Sequence, residues 1–271
     1  MSDGIRITIL IDDKKSRPDL HAEHGLSLWI ECGEKRILFD TGQSNALVGN
    51  AEKLGIDLAQ TDAIVLSHGH YDHTGGLAAV LDIAAKAKVY LHPSALEPKF
   101  SRKDANVKSI GMSETAKKAL KDRRVIWTIT PARLFSGIAV TGQIPRKNNF
   151  EDVGGAFFLD KDCQKADDLP DDQSLYIESK SGIFVVLGCA HAGIDNILNY
   201  VAELAGHGSI YGIIGGMHLL NAASTRISKT LESFKKFGVR EIAPLHCTGD
   251  NASNEIEKSF KESASVLTFQ K

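Results

Sequence analysis

The feature that most constrains this chain is the segment SHGHYDH, residues 67–73. It follows a short apolar run that reads as a strand, and it precedes two glycines and a predicted amphipathic helix. Three imidazoles and one carboxylate within six residues cannot all be buried without partners. Because side chains alternate along an extended chain, His68 and His70 point the same way and can bind one cation from one side. Asp72 and His73 come after the chain turns, so we expect them to face a second cation.

Imidazole nitrogen and carboxylate oxygen suit zinc, iron or manganese. His191, His218 and His246 each follow a predicted strand and lie close to glycines, which let backbones approach closely. Ligands often lie at the loops that follow strands. Asp40 also ends a predicted strand, in the sequence LFDTG. It is either a turn or helix-capping residue, or an acceptor that orients an imidazole ligand.

Strands and helices alternate along all 271 residues, without a linker or a short repeat, which predicts a single domain spanning 1–271. Residues 99–124 form a basic excursion, either solvated and partly helical or a lid that draws an anionic substrate. The acidic run 160–172 is predicted to be a surface loop.

The net charge of −2 does not favour binding to nucleic acid or to an anionic membrane. No stretch is long and apolar enough to span a bilayer, and residues 1–6 do not resemble a signal peptide. The four cysteines lie far apart, without a CxxC pair. We therefore expect a reduced, cytoplasmic protein. We expect its partner to be a small anionic substrate. The chain can also form a homo-oligomer.

The LFDTG turn, the SHGHYDHTGG loop and the later single histidines resemble the metallo-β-lactamase superfamily, in its order and over nearly the whole chain. The resemblance implies an α/β fold, an αββα sandwich with mixed sheets. It also implies one metal ion held by His68, His70 and His191. A second ion would be held by the remaining candidates, which are Asp72, His73 and His246.

One position departs from the superfamily pattern. Most binuclear members place an aspartate where this chain has His218. A carboxylate bridges two cations with its two oxygens, whereas an imidazole normally does not. Three alternatives follow: solvent alone bridges the ions, the second site is weak, or His218 faces the substrate.

Within the superfamily, the chain looks most like the branch of 7,8-dihydropterin-6-yl-methyl-4-(β-D-ribofuranosyl)aminobenzene 5′-phosphate synthase. Four stretches carry this likeness: residues 23–27, 142–146, 171–175 and 215–219. The branch implies a metal-dependent hydrolase or transferase that acts on a phosphorylated or diphosphorylated small molecule. The cofactors implied are two divalent ions, zinc first, with manganese or iron as alternatives.

For the reaction, we predict that Asp72 or His218 moves a proton. His24 and Arg146 are predicted to bind a phosphate or a ring, although each is equally compatible with a structural role. Two other functions are weighed against this hypothesis. A di-iron redox protein is disfavoured because the chain shows no added domain and no carboxylate at the bridging position. A non-catalytic ligand-binding protein is disfavoured by the complete set of ligand candidates.

Overall fold

The computed structural model of this protein describes residues 4–121 and 123–260. The strands of this part are β1 (Ile5–Ile11), β2 (Ser27–Cys32), β3 (Lys35–Phe39), β4 (Ala63–Val65), β5 (Lys88–Leu91), β6 (Phe100–Lys103), β7 (Asn106–Ser109), β8 (Val125–Trp127), β9 (Ala132–Phe135), β10 (Ile138–Val140), β11 (Phe157–Phe158), β12 (Leu175–Ser179), β13 (Gly182–Leu187), β14 (Ile210–Gly216) and β15 (Glu241–Leu245). The α-helices are α1 (Ala46–Lys53), α2 (Tyr71–Thr74), α3 (Leu77–Ile83), α4 (Glu114–Ala119), α5 (Ile194–Ala205), α6 (Ser224–Lys236) and α7 (Asp250–Phe260).

The chain divides into two compact units. The N-terminal unit comprises residues 4–129, as far as they are described, together with Ala156–Asp171. The C-terminal unit comprises Thr130–Gly155 and residues 172–260. Each unit therefore contains two separate stretches of the chain.

The N-terminal unit contains a mixed sheet in the order β1-β2-β3-β4-β5-β8, in which the strands from β3 onward are parallel. Its parallel strands are short and apolar, as in β4, where every residue of the sequence AIV is buried. Leu38, Ile64 and Val89 belong to its core, against which α1 and α3 pack. A small antiparallel sheet, β11-β6-β7, completes this unit.

The C-terminal unit contains a second mixed sheet, in the order β15-β14-β13-β12-β10-β9. Strands β13, β14 and β15 are parallel, so their carboxyl ends lie at the same edge. Helix α5 buries Ile194, Ile197 and Val201, the spacing that places side chains on one helical face. It ends at Gly206, whose φ of 74° is the left-handed conformation that favours glycine at a helix end.

The strands predicted ahead of His68, His191, His218 and His246 are present as β4, β13, β14 and β15. The amphipathic helix predicted after the glycine pair at 75–76 is present as α3, which has 7 residues. The basic segment forms the β6–β7 hairpin and α4. Among the helices that the structure describes, none has the length and apolar character needed to cross a bilayer.

The acidic run 160–172 is a surface loop only in part, because its last aspartates leave the surface while Lys161, Asp162 and Asp168 are exposed. Asp167, Asp171 and Asp172 are at most 2% exposed. Their carboxylates accept hydrogen bonds from a buried ammonium and from backbone amides, which is what allows charged groups to leave water. The first residue of the basic segment, Lys99, is likewise buried rather than solvated.

Candidate metal centre

The candidate ligands of the N-terminal unit lie between β4 and the end of α2. His68, His70, Asp72 and His73 are all buried. The imidazoles are crowded, with 2.9 Å between His68 Nε2 and His70 Nδ1 and 4.3 Å between the ring centroids of His68 and His73. Burial lowers the pKa of His70 to about 3, so this ring is neutral at physiological pH, as a metal ligand must be.

Asp40, at the end of β3, holds the ligand segment through three hydrogen bonds of 2.7 Å. Its carboxylate accepts from the Ser67 amide, the Ser67 hydroxyl and Nδ1 of His73. A carboxylate that accepts all three fixes the proton of His73 on Nδ1, so the lone pair of the neutral ring is on Nε2. The role of Asp40 as an orienting residue stays a prediction, and these contacts support it.

The same chain of hydrogen bonds continues to His68. Ser67 donates its only hydroxyl proton to Asp40, so its oxygen is the acceptor for Nδ1 of His68, 2.9 Å away. His68 therefore carries its proton on Nδ1 and its lone pair on Nε2. The donor set fits a cation because the rings of His68 and His73 both present Nε2 from within a buried segment.

A buried ion cluster supports Gly69, which lies between the first two candidate histidines. Lys99 Nζ is 2.9 Å from both Asp167 Oδ2 and Asp171 Oδ1. The other oxygen of Asp171 accepts a hydrogen bond of 2.8 Å from the amide of Gly69. A Cβ at position 69 would overlap the backbone of Ala95, so this close approach requires glycine.

His24 lies between two carboxylates. Its Nδ1 is 3.1 Å from Asp13 Oδ2, and its Nε2 is 3.2 Å from Asp72 Oδ2. The side chain is 53% exposed. The structure therefore brings His24 into contact with a candidate ligand, while its predicted role in substrate binding stays a prediction.

The candidate histidines of the C-terminal unit follow three neighbouring parallel strands. His191 follows β13, His218 follows β14 and His246 follows β15. His218 and His246 have φ values of 47° and 48°, and Ala190 has a φ of 56°. Residues other than glycine seldom adopt this left-handed conformation, and such residues concentrate at functional sites.

Contacts within the C-terminal unit orient His191. Its Nδ1 is 2.7 Å from the carbonyl oxygen of Val153, which only accepts, so Nδ1 carries the proton and Nε2 the lone pair. The backbone on either side is also held. Arg146 donates to the carbonyl oxygen of His191 at 2.7 Å, and Asp172 accepts from the amide of Ala192 at 2.8 Å. Arg146 thus contacts a candidate ligand, and its predicted substrate role stays a prediction.

His218 packs beside His191, with 4.4 Å between ring centroids. Its ring also lies against Gly154, where a Cβ would overlap the imidazole. Burial lowers the pKa of His218, which keeps the ring neutral. His218 is therefore next to a candidate ligand, and its catalytic role stays a prediction. The ligand assignments that combine His191 and His246 with residues of the N-terminal unit also stay predictions.

The fold and the site together define the class of this protein. It is a mixed α/β protein that carries oriented histidines at the ends of its parallel strands. Residues 22–244 match the model of the metallo-β-lactamase superfamily. The chain belongs to this superfamily, and its mixed sheets match the metallo-β-lactamase fold, as predicted.

Two relatives resemble the chain over most of its length. The 7,8-dihydropterin-6-methyl-4-(β-D-ribofuranosyl)-aminobenzene-5′-phosphate synthase of Methanocaldococcus jannaschii is 33% identical, over 96% of this chain and 93% of the relative. The crystal structure of Tm1679, described as a metal-dependent hydrolase of the β-lactamase superfamily, is 32% identical. It matches with a TM-score of 0.82 over 95% of this chain and 93% of that one. The predicted resemblance to the synthase branch is therefore confirmed.

A third comparison concerns the fold alone. The metallo-β-lactamase fold protein YhfI from Bacillus subtilis has a TM-score of 0.57 at 13% identity, over 97% of this chain and 95% of that one.

Sequence reasoning missed the residues that support the ligand segments. Lys99 was assigned to a basic surface, and Asp167 to an acidic loop. Asp171 and Asp172 were assigned to the same loop and also contributed to the resemblance to the synthase branch. The sequence carried no local signal for their burial, because their partners are distant in the chain.

Proposed function

We propose that the chain is a metal-dependent enzyme that acts on a phosphorylated or diphosphorylated small molecule, by hydrolysis or by pterin transfer. The observation that carries the proposal is the fixed proton position on His68, His73 and His191, each of which carries its lone pair on Nε2. Identity of 33% to the Methanocaldococcus jannaschii synthase over 96% of the chain supports the substrate class.

In this proposal, two divalent ions, zinc first, are bound. His68, His70 and His191 hold one, and Asp72, His73 and His246 hold the other. When bound, such ions polarise a phosphoryl or carbonyl oxygen and lower the pKa of bound water. The protein's own residues do the remaining work of orientation.

Three groups of the chain are assigned roles toward the substrate. Arg146 and the basic segment 99–124 attract and bind its phosphate groups. His24, half-exposed beside Asp72, contacts the ring or a phosphate oxygen. Proton transfer belongs to Asp72 or His218, because both are next to candidate ligands in their own units.

The two reactions differ in the nucleophile. In hydrolysis, water adds to the phosphorus or carbonyl centre and the ester bond breaks. In transfer, an arylamine nitrogen or aryl carbon attacks the pterin methylene, the methylene–oxygen bond breaks, diphosphate leaves and the nucleophile loses a proton. Arg146 would grip the departing diphosphate in the second case.

The first experiment measures metal per chain by plasma mass spectrometry on protein purified without chelator. About two ions per chain, reduced in His68→Ala, are expected for the proposed centre. His207→Ala is the matched control, since His207 is exposed at the end of α5. The absence of bound metal, even after reconstitution with zinc, manganese and iron, would refute the proposal.

The second experiment separates the two reactions. Metal-loaded protein is incubated with a dihydropterin methyl diphosphate and an aminobenzene ribofuranosyl phosphate, and separately with a panel of phosphodiesters. Mass spectrometry then distinguishes a coupled product with diphosphate release from hydrolysis products. If neither substrate set is turned over by protein that holds its metals, the phosphorylated substrate class is wrong.

We also propose a cytoplasmic location, since the dispersed cysteines suit a reducing compartment.

A further inference from the structure

Two cysteines and a histidine meet at the strand ends of the C-terminal unit. One sulfur each of Cys189 and Cys247 and one ring nitrogen of His246 lie within 4.8 Å of one another. We infer that these three side chains form a thiolate-rich site for a soft or borderline d¹⁰ cation, either zinc or copper(I). The inference goes beyond the proposed function, with which it shares only His246.

The meeting of the two sulfurs is built into the sheet. Cys189 follows β13 and Cys247 follows β15, which lie on either side of β14. Two strands on either side of a third are about 10 Å apart. In flat strands this distance is too large for a thiol on one to contact a thiol on the other. The sulfurs approach each other across the end of β14, where the residue is Gly216.

Gly216 leaves the space that the thiols use. A Cβ at this position would lie 2.7 Å from the sulfur of Cys247 and 2.5 Å from the carbonyl oxygen of Gly188. The backbone is fixed there by a hydrogen bond of 3.0 Å from Gly216 to Gly188. Any side chain at position 216 would therefore displace Cys247 from Cys189.

Cys247 is also held in place by polar contacts. The amide of His218 donates to its sulfur at 3.3 Å, and its thiol is 3.8 Å from the carbonyl oxygen of Cys189. His246 and Cys247 are partly exposed, whereas Cys189 is buried. A cation can therefore reach the cluster from the exposed side and is bound at a sulfur that is shielded from water.

The donor chemistry selects the ion. Two sulfurs and one imidazole favour zinc or copper(I) over magnesium or calcium, which prefer oxygen ligands. On binding, two metal–sulfur bonds form, and the two thiol protons leave to solvent. No electron is transferred, so the step needs no oxidant or reductant.

The test uses cobalt(II) as a spectroscopic probe for the full chain, under anaerobic and reducing conditions. Thiolate coordination gives a sulfur-to-cobalt charge-transfer band in the near ultraviolet, which nitrogen and oxygen ligands do not give. We expect this band in the wild type, a weaker one in Cys189→Ser and in Cys247→Ser, and none in the double variant. Cys32→Ser and Cys163→Ser are matched controls that keep the full band, because both thiols lie outside the cluster.

A second measurement needs no substitution. Zinc is expected to protect the partly exposed Cys247, but not Cys163, from alkylation, as located by peptide mass spectrometry. Cobalt bound without the charge-transfer band, a band unchanged in the double variant, or equal alkylation with and without zinc would each overturn the inference.

The same experiment distinguishes this inference from the proposed function. In His68→Ala the cobalt bound at the histidine centre is reduced, while the charge-transfer band persists if the thiolate site is present. Wild-type protein that binds about two cobalt ions without the band would refute the thiolate site and leave the histidine centre standing.

Discussion

Replacing Lys99 with methionine tests whether the buried ion cluster holds the protein together. The ammonium is 0% exposed and lies 2.9 Å from each of two carboxylates that are themselves at most 1% exposed. Methionine has a similar length and no charge, so Lys99→Met leaves two buried aspartates facing each other without a cation.

Removal of one partner from a buried pair costs about 3–5 kcal/mol. For a chain of this size each kcal/mol lowers the melting temperature by roughly 2–4 °C, so a loss of about 6–20 °C is expected. Lys117→Met is the matched control, since Lys117 pairs at 3.1 Å with Glu114, whose side chain is 76% exposed. An exposed pair of this kind contributes about 0.3–0.5 kcal/mol.

The assay is thermal and urea denaturation followed by circular dichroism, with metal content measured in parallel because Asp171 also accepts from the amide of Gly69. Burial by itself lowers the pKa of Lys99, but Asp171 and Asp167 outweigh it and raise the pKa above 10.5. A raised pKa contributes stability that is fully present below the unfolded-state value and is lost as the pH rises through the folded-state value. The difference in free energy of unfolding between Lys99→Met and wild type is therefore expected to be constant from about pH 7 to about pH 9.

The triple variant, in which Asp167 and Asp171 also become asparagine, recovers part of the loss, because neutral groups of the same shape carry no charge to bury. If Lys99→Met costs no more than Lys117→Met, the cluster contributes little, and its assignment as the support of the ligand segment is wrong.

Three further substitutions test the supports of the candidate ligands. In Asp40→Asn, the new amide N–H faces one of the groups that now donate to Asp40, so the orientation of the ligands is disturbed. Metal affinity is therefore expected to fall about 10–100-fold in chelator competition. Unchanged affinity would contradict the orienting role of Asp40. Gly69→Ala, which overlaps backbone, costs about 1–3 kcal/mol in urea denaturation, whereas Gly49→Ala, with open space in α1, stabilises by about 0.5–1 kcal/mol. Arg146→Ala raises KM for the anionic substrate about 10-fold or more without loss of metal; loss of metal instead would limit Arg146 to supporting His191.

Local pattern was enough to predict the elements that carry the candidate ligands. The apolar run before His68 predicts β4, and the β-branched run Ile5–Ile11 predicts β1, because alternation and apolar runs are properties of neighbouring residues. The histidines themselves were predicted from residue type and from their position after strands. Their order along the chain also carried the resemblance to the superfamily.

The supports of the site were not predictable in this way. Gly69 and Asp171 are 102 residues apart in the sequence, and Lys99 and Asp171 are 72 apart. A run of charged residues has the composition of a solvated loop, and only the fold shows that some of its carboxylates contact a distant ammonium and distant backbone amides. Acidic composition therefore gave no sign that Asp167, Asp171 and Asp172 are buried.

His191 donates a hydrogen bond to the carbonyl oxygen of Val153. The orientation of the His191 ring therefore does not depend on which side chain residue 153 carries. Every residue has that carbonyl, so substitution of the valine side chain leaves the acceptor in place. What the imidazole requires is the length and path of the segment that ends at Val153. In this chain, then, a one-residue insertion before Val153 is expected to disturb the orientation of His191, whereas most substitutions of Val153 itself are not.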